Sequence, residues 1–358
     1  MRINAGGLST IVVGRDKEIK TIKSYIKMGQ HCAIVAPRRY GKTTTVNAVL
    51  DDLKDDYLII KLDIFAASNV RELCHLLIDA VYQSHGVSSF VKSAKDNVLD
   101  IVSRFKLDTE FVKIGYDLLR EPSESELMKK AFQLPDLFAQ KQKKRAIVFM
   151  DEFGDIERFG EDIVKKLRAY FQTHQHVSYI FAGSQTSVMN KVFLDKSNAF
   201  FNFASIMNLP LLDSDQCLAF ANDLSIDGTK FDDTAAVKVV DTTNGHPYYF
   251  IKLIQEAYVL AYLEDSPCVS VALVDDAIQK ILRDNNAFFE VEWDKINVKK
   301  HKGHVLKTLI GLDSVSDAVS LSYKSQMIKE LKNEAVLNDE KQMTDPFFRE
   351  WLIRNLAS

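Results

Sequence analysis

Cysteine is scarce in this sequence, and the four present, Cys32, Cys74, Cys217 and Cys268, lie far apart with no C-x-x-C pair. The spacing favours reduced thiols inside a core over a disulfide framework or a zinc site. A surplus of one charge is also missing. Lys and Arg number 46 against 49 Asp and Glu, for a formal net charge of -3. That balance excludes a global basic field for nucleic acid, so any such contact must rest on a local site. No apolar run approaches the ~18 residues of a membrane-spanning helix, and "MRINAGGLSTIVVGRDKE" lacks the charged start and apolar stretch of a signal peptide. These absences predict a soluble, cytoplasmic protein with no membrane partner.

What is present is a normal globular composition, 46% hydrophobic, in 358 residues, enough for two or three domains. Apolar periodicity in "GRDKEIKTIKSYIKMG" places Ile19, Ile22, Tyr25 and Ile26 on one helical face, with Gly29 as a stop. The short apolar runs "HCAIVA", "YLIIKLDIF", "AIVFMDEF", "VSYIFAGS" and "SIMNLPLL" read as strands, and helical patterns fall between most of them. Strands alternating with helices predict an α/β fold built on a parallel sheet. Residues 86–144 read as a mostly helical, charged insertion. From 212 to 284 four helical patterns follow one another without intervening strands, and 285–358 reads as small helices around short strands, a winged-helix-like α+β module.

Between the first strand and the next helix lies "APRRYGKTTT", Ala36 to Thr45. It matches the phosphate-loop pattern G-x-x-x-x-G-K-[ST] except that Ala36 stands at the first glycine. In such a loop backbone N–H groups and a helix N-terminus point at the anion, a lysine reaches the β- and γ-phosphates, and a hydroxyl binds Mg²⁺. Gly41, Lys42 and Thr43 supply those parts. Ala36 is small enough for a position that need not adopt a positive φ. The run Ala36, Pro37, Arg38, Arg39, Tyr40, Gly41, Lys42, Thr43 and Thr44 is therefore the predicted binding segment for ATP or ADP. Arg38 and Arg39 either contact phosphate or a partner, or shape the loop and face solvent.

The strand "IVFMDE" ends in Asp151 and Glu152. An aspartate there holds Mg²⁺ with Thr43, and a following glutamate polarises the attacking water. A third strand ends at Ser184, followed by Gln185, where a polar side chain orients water or senses the γ-phosphate. "HQH", His174 to His176, suggests a metal only superficially, because its two histidines point to different faces.

Five places in order, "IVVGRDKEI", "APRRYGKTT", "IVFMDEF", "FAGSQTSVM" and "TNGHPYYFIKL", resemble archaeal-type ATPases of the AAA+/STAND superfamily. The resemblance implies an AAA+/ASCE-type P-loop NTPase sheet with an extra strand between the phosphate loop and the acidic strand, a helical lid, and a winged-helix-like end. It implies Mg²⁺-dependent ATP hydrolysis with Glu152, Lys42 and Ser184 as catalytic groups. Val13, Gly14 and Arg15 would lie by the adenine, with Glu18 structural. Gly245, His246 and Pro247 would begin a lid helix close to the nucleotide, His246 standing where relatives often carry a sensing arginine. An arginine finger from a neighbouring subunit is expected in nucleotide-dependent homo-oligomers, and Arg158 and Arg168 are the candidates by position.

The domains so implied are 1–211 for the ATPase, 212–284 for the lid and 285–358 for the C-terminal module. That module has eleven Lys or Arg against eleven Asp or Glu beyond residue 285, a poor footprint for phosphate. Lys324, Lys329 and Lys332, with Lys299, Lys300 and Lys302, could still form a patch. Two readings result: an ATP-hydrolysing switch whose module acts on DNA or a protein partner, and a nucleotide-binding module with little turnover that supports a partner effector.

Overall fold

Five apolar segments pair into one parallel sheet in a computed structural model that describes residues 12–84, 123–184, 186–312, 321–338 and 340–356. The strands β1 (Cys32–Val35), β2 (Leu58–Asp63), β3 (Ala146–Asp151), β4 (Val177–Gly183) and β5 (Ser205–Asn208) lie in the order β2-β3-β4-β1-β5. β1 and β4 are buried throughout, and β3 everywhere but its last residue. Strands covered on both faces carry continuous apolar runs, which is how they read in the sequence. Ile180 of β4 is in register with both Cys32 of β1 and Phe149 of β3. The extra strand implied between the phosphate loop and the acidic strand is therefore β4.

Among the described residues six α-helices accompany the sheet: α1 (Asp16–Lys27), α2 (Lys42–Leu53), α3 (Val70–Gln83), α4 (Glu124–Gln142), α5 (Glu161–Phe171) and α6 (Thr186–Leu194). The predicted face of α1 buries Ile22 and Ile26. Most of the predicted 86–144 insertion lies outside the described residues, and its described end is α4. Packing divides the chain into two compact units. One holds residues 16–38 and 42–209; the other holds the described residues through Arg15, then Arg39–Gly41, and those from Pro210 onward. Each has its own apolar core, the first around the sheet with Phe153, Phe171, Tyr179, Phe181 and Phe200, the second around Phe250, Leu253, Ile281, Phe289 and Trp351.

The second unit contains α7 (Ser214–Asp223), α8 (Asp233–Thr243), α9 (Pro247–Leu263), α10 (Val271–Asp284), α11 (Asn286–Asn297), α12 (Lys300–Leu309), α13 (Leu321–Asn333) and α14 (Pro346–Leu356). The expectation of helices without strands over 212–284 is corrected here. β6 (Ser225–Ile226), β7 (Thr229–Phe231) and β8 (Cys268–Val269) form a small sheet. Strands of two or three residues are too short to show alternation, and the available signal was the Asp227-Gly228 turn, both residues at positive φ, as a tight hairpin requires. Beyond residue 285 the expected short strands reduce, among the described residues, to a single antiparallel bridge between Leu337 and Met343. All four cysteines are free. Cys32, Cys74 and Cys217 are buried, and burial pushes each of these thiols up to about 12. No described helix is long and apolar enough to cross a membrane.

His31, just before β1, accepts a hydrogen bond at Nδ1 from the Tyr179 N–H at 3.1 Å and packs on Phe203. Burial first, then the nearby Arg168, His174 and Arg145, lowers its pKa to about 4. The unfolded chain takes this proton near the ordinary value of 6.5, and the folded chain does not until about 4. The associated stability is thus present above 6.5 and lost as pH falls to about 4, on the order of 3 kcal/mol at most. Denaturant midpoints should fall across that window and fall less in His31→Gln; equal acid losses in both proteins would contradict a neutral buried His31.

Candidate nucleotide site

β1 delivers its carboxyl end to a loop that leads into α2, so the helix begins at Lys42 and its free N–H groups face the loop. Ala36 is buried and outside the positive-φ region, so a methyl group is compatible with the first loop position. Gly41 has φ +82, where a side chain would be strained. Lys42 is only 6% exposed, and its Nζ donates to the carbonyls of Ala36 (2.8 Å) and Pro37 (3.0 Å). Burial lowers the lysine's pKa, an effect opposed by the carboxylates of Glu152 and Asp151 and reinforced by Arg38. A buried cation held by two carbonyl oxygens is suited to exchanging them for phosphate oxygens. Arg38 is exposed, and Thr44 is half-buried in the first turn of α2.

At the tip of β3 the Thr43 hydroxyl donates to Asp151 Oδ2 at 2.6 Å. Asp151 has its pKa raised, chiefly by desolvation, against the bonds from Thr43 and from the Glu152 N–H. One hydroxyl and one carboxylate side by side form the hard-oxygen set that Mg²⁺ takes beside phosphates, completing its shell with water. Glu152 itself sits at φ 47, ψ 44, a left-handed conformation that a non-glycine residue keeps only when its surroundings fix it. The fixing group is Ser184, at the end of β4. Its N–H (3.2 Å) and hydroxyl (2.8 Å) both donate to Glu152 Oε2. Lys42, Thr43, Asp151, Glu152 and Ser184 thus converge where the central strands end, whereas Gln185 lies outside the described residues.

The other predicted nucleotide-binding residues, among them Val13, Gly14, Arg15, Arg39, Tyr40 and residues 245–247, belong to the second unit. Val13 is buried in its core, and Gly14 lies beside Gln216 and Leu212. Arg15, 3% exposed, donates from Nη2 to the carbonyls of Tyr40 (3.1 Å) and Pro210 (2.8 Å), so its guanidinium braces the loop segment 39–41. Tyr40 is buried and meets the His246 ring edge-on at 5.2 Å. Arg39 lies 4.6 Å over the Tyr248 ring. His246 caps α9 by accepting the Tyr249 N–H, with Pro247 in the first turn. Burial holds its pKa at about 4, so the ring is neutral near pH 7. Gly245 is required: a Cβ there would meet the Leu212 carbonyl oxygen at 2.3 Å.

Both candidate finger arginines are committed within the chain. Arg158 donates to the carbonyls of Ile64 (2.7 Å), Phe65 (3.1 Å) and Ala67, and Arg168 donates to Gln172 at 2.8 Å while lying over Phe203. His174 Nδ1 pairs with the Tyr179 hydroxyl at 2.6 Å and His176 lies 3.4 Å from Asp136, and among the described residues no three metal-ligating side chains gather. The sequence reading did not single out Asp345. It accepts the Tyr249 hydroxyl (2.7 Å) and caps α14 through the Phe348 N–H (2.8 Å). The Asp-Pro pair in "MTDPFFREWL" was the available signal, an N-cap followed by proline.

No curated protein matches this sequence. The whole chain does match solved folds. The Walker-type ATPase PABY2304 of Pyrococcus abyssi is 13% identical, with 95% of this chain and 96% of that one covered and a TM-score of 0.67. The Aeropyrum pernix ORC2 protein, solved as ADPNP-ADP complexes, is 10% identical over 99% and 98%, at 0.55. The Aeropyrum pernix ORC1 protein, solved in complex with DNA, is 11% identical over 98% and 94%, at 0.52. At such identities the likeness is one of fold. The sequence itself matches, over residues 12–253, the family described as an ATPase domain predominantly from Archaea. With that match covering most of the chain, the protein belongs to this family of ATPase domains found predominantly in Archaea, and the sheet order and loop described above agree with it.

Proposed function

We propose that the chain is a Mg²⁺-dependent molecular switch in which ATP binding and hydrolysis at the loop reset a C-terminal module that acts on a protein partner. The observation that carries this reading is the pairing of Thr43 with Asp151 and of Ser184 with Glu152 at adjacent strand ends. In this reading Lys42 leaves the Ala36 and Pro37 carbonyls for the β- and γ-phosphates. Thr43 and Asp151 would hold Mg²⁺, which supplies neutralisation of the phosphate charge. Ser184 occupies one Glu152 oxygen, so the other takes the proton from the attacking water. Val13, Gly14 and Arg15, with Gly245, His246 and Pro247, are assigned to the nucleotide's surroundings. Arg15 and His246 act through the loop and the α9 start, being already bonded there.

The proposed organisation is 1–211 for the ATPase, 212–284 for the lid and 285–358 for a winged-helix-like module, working in the cytoplasm, where free cysteines stay reduced. The choice of a protein partner over DNA rests on charge. Lys299 pairs with Glu330 at 2.8 Å, and Lys302, almost fully buried, pairs with Glu334, so two lysines of the candidate patch are neutralised inside the module. With Arg158 and Arg168 committed, neither is assigned as a finger, and any nucleotide-dependent homo-oligomer would use another residue.

Glu152→Gln should lower the rate of phosphate release by about 10²- to 10⁴-fold, the usual worth of a general base, while ATP still binds. Lys42→Ala should weaken ATP binding by about 10- to 100-fold, as expected for a lost charge-assisted contact. Turnover that survives the first change would remove Glu152 as base, and affinity untouched by the second would remove the site. Size-exclusion chromatography with ATP, ADP and duplex DNA should show no DNA comigrating at physiological salt. Comigration that weakens steeply with salt would reverse the choice of partner.

A further inference from the structure

Two neighbouring strands leave the large sheet in the same way. β2 and β3 stay in register from Leu58 with Ala146 to Asp63 with Asp151, and each chain then turns into a 3₁₀ helix, Ile64–Ala66 after β2 and Phe153–Phe159 after β3. Asp63 caps the first by accepting the Phe65 N–H at 3.0 Å. Glu152 opens the second, its carbonyl accepting the Asp155 N–H at 3.0 Å, so the residue assigned as base is also the one from which that helix starts.

A 3₁₀ helix has poorer hydrogen-bond geometry than an α-helix, and runs beyond about three or four residues are uncommon. The one after Glu152 has seven. Its own backbone bonds are a weak support, so contacts with the rest of the sheet unit must hold it in place. At its start Phe153 is buried in the core, its ring centroid 4.4 Å from that of Phe181. At its far end the hold is Arg158. Nη2 of this arginine donates to the carbonyls of Ile64 at 2.7 Å and Phe65 at 3.1 Å and to that of Ala67, while the guanidinium lies 5.1 Å from the centre of the Phe159 ring. Those carbonyls follow the last paired residue of β2. The side chain thus carries the cross-link between the two chains past the point where strand pairing stops.

We infer that Arg158 is a positioning residue for hydrolysis: it fastens the helix that follows Glu152 to the turn that follows β2, and so keeps the glutamate's backbone in place. The inference rests on the reading of Glu152 as base. Ser184 fixes one oxygen at the tip of that side chain, but a tip is aimed only if the backbone behind it stays put. A left-handed glutamate does not hold its backbone by its own preference. Glu152 is therefore held at both ends, by Ser184 at the carboxylate and through Arg158 along the chain. Because Arg158 acts on the base and not on the nucleotide, its loss belongs in the rate and not in the affinity.

Phosphate release and ATP affinity measured on the full chain separate the two. Arg158→Gln should lower kcat by about 10- to 100-fold, the scale of a small misplacement of a catalytic group, and leave the Kd for ATP within about threefold of the parent. Arg158→Lys keeps a cation that donates to carbonyls but lacks the planar fork, and should recover part of the rate. A residue that works through Glu152 has little left to lose once that glutamate is gone. Adding Arg158→Gln to Glu152→Gln should therefore slow single-turnover hydrolysis by less than about twofold more, whereas independent effects would multiply.

Unchanged kcat in Arg158→Gln, loss of ATP affinity together with the rate, or a full further loss in the double variant overturns the role given to Arg158. Failure of the base reading shows elsewhere. Turnover retained in Glu152→Gln alone removes the base, and the inference with it, whereas a slow Glu152→Gln beside a fully active Arg158→Gln removes the inference and leaves the base.

Discussion

A buried ammonium group at the end of the central strand is the constraint on which the rest of the site depends. Lys42 has left water, and its charge must be met by something. In the chain it is met by the carbonyls of Ala36 and Pro37, which curl the loop around it, and at longer range by Asp151 and Glu152. Two carbonyl dipoles are a weaker counterpart than an anion. The loop is therefore complete in shape but not in charge, and a phosphate would supply what the backbone lacks. The same argument reaches Asp151, whose burial disfavours its ionised form until a cation stands beside it.

Parallel strands bring these groups together without any loop having to search for them. β1, β4 and β3 run in register, so their carboxyl ends fall on one edge, and each ends in a residue of the candidate site or one residue short of it. This is the edge at which open α/β sheets bind ligands. The price is local strain: Glu152 turns left-handed directly after β3 and is then held by two bonds from Ser184. A glutamate so fixed cannot wander among rotamers, which is what a group orienting one water molecule needs.

Elements carrying a strong local signal were legible in the sequence. The five strands of the large sheet read as apolar runs because they are buried on both faces, and Lys42, Thr43, Asp151 and Glu152 read from their motif positions. What failed to read was set by contacts distant in the chain. β6, β7 and β8 are too short for a period, and β8 pairs with β7 across the whole of α8 and α9. The pairing of Ser184 with Glu152 joins residues 32 positions apart, and that of Tyr249 with Asp345 joins residues 96 apart. Arg158 and Arg168 looked available because a helical arginine ordinarily faces solvent. Only the folded chain shows one locked onto three carbonyls and the other lying on an aromatic ring.

The alanine at the head of the loop now has a physical reading. A phosphate loop must turn sharply, and some of its residues must take positive φ. Here that demand falls on Arg39 and Gly41, not on Ala36. Glycine at 41 meets it at no steric cost, whereas arginine at 39 meets it against its own preference. A loop free to choose would put a small residue at 39 as well. The arginine is tolerated because Tyr248 holds its side chain and Arg15 and His246 hold the residue after it.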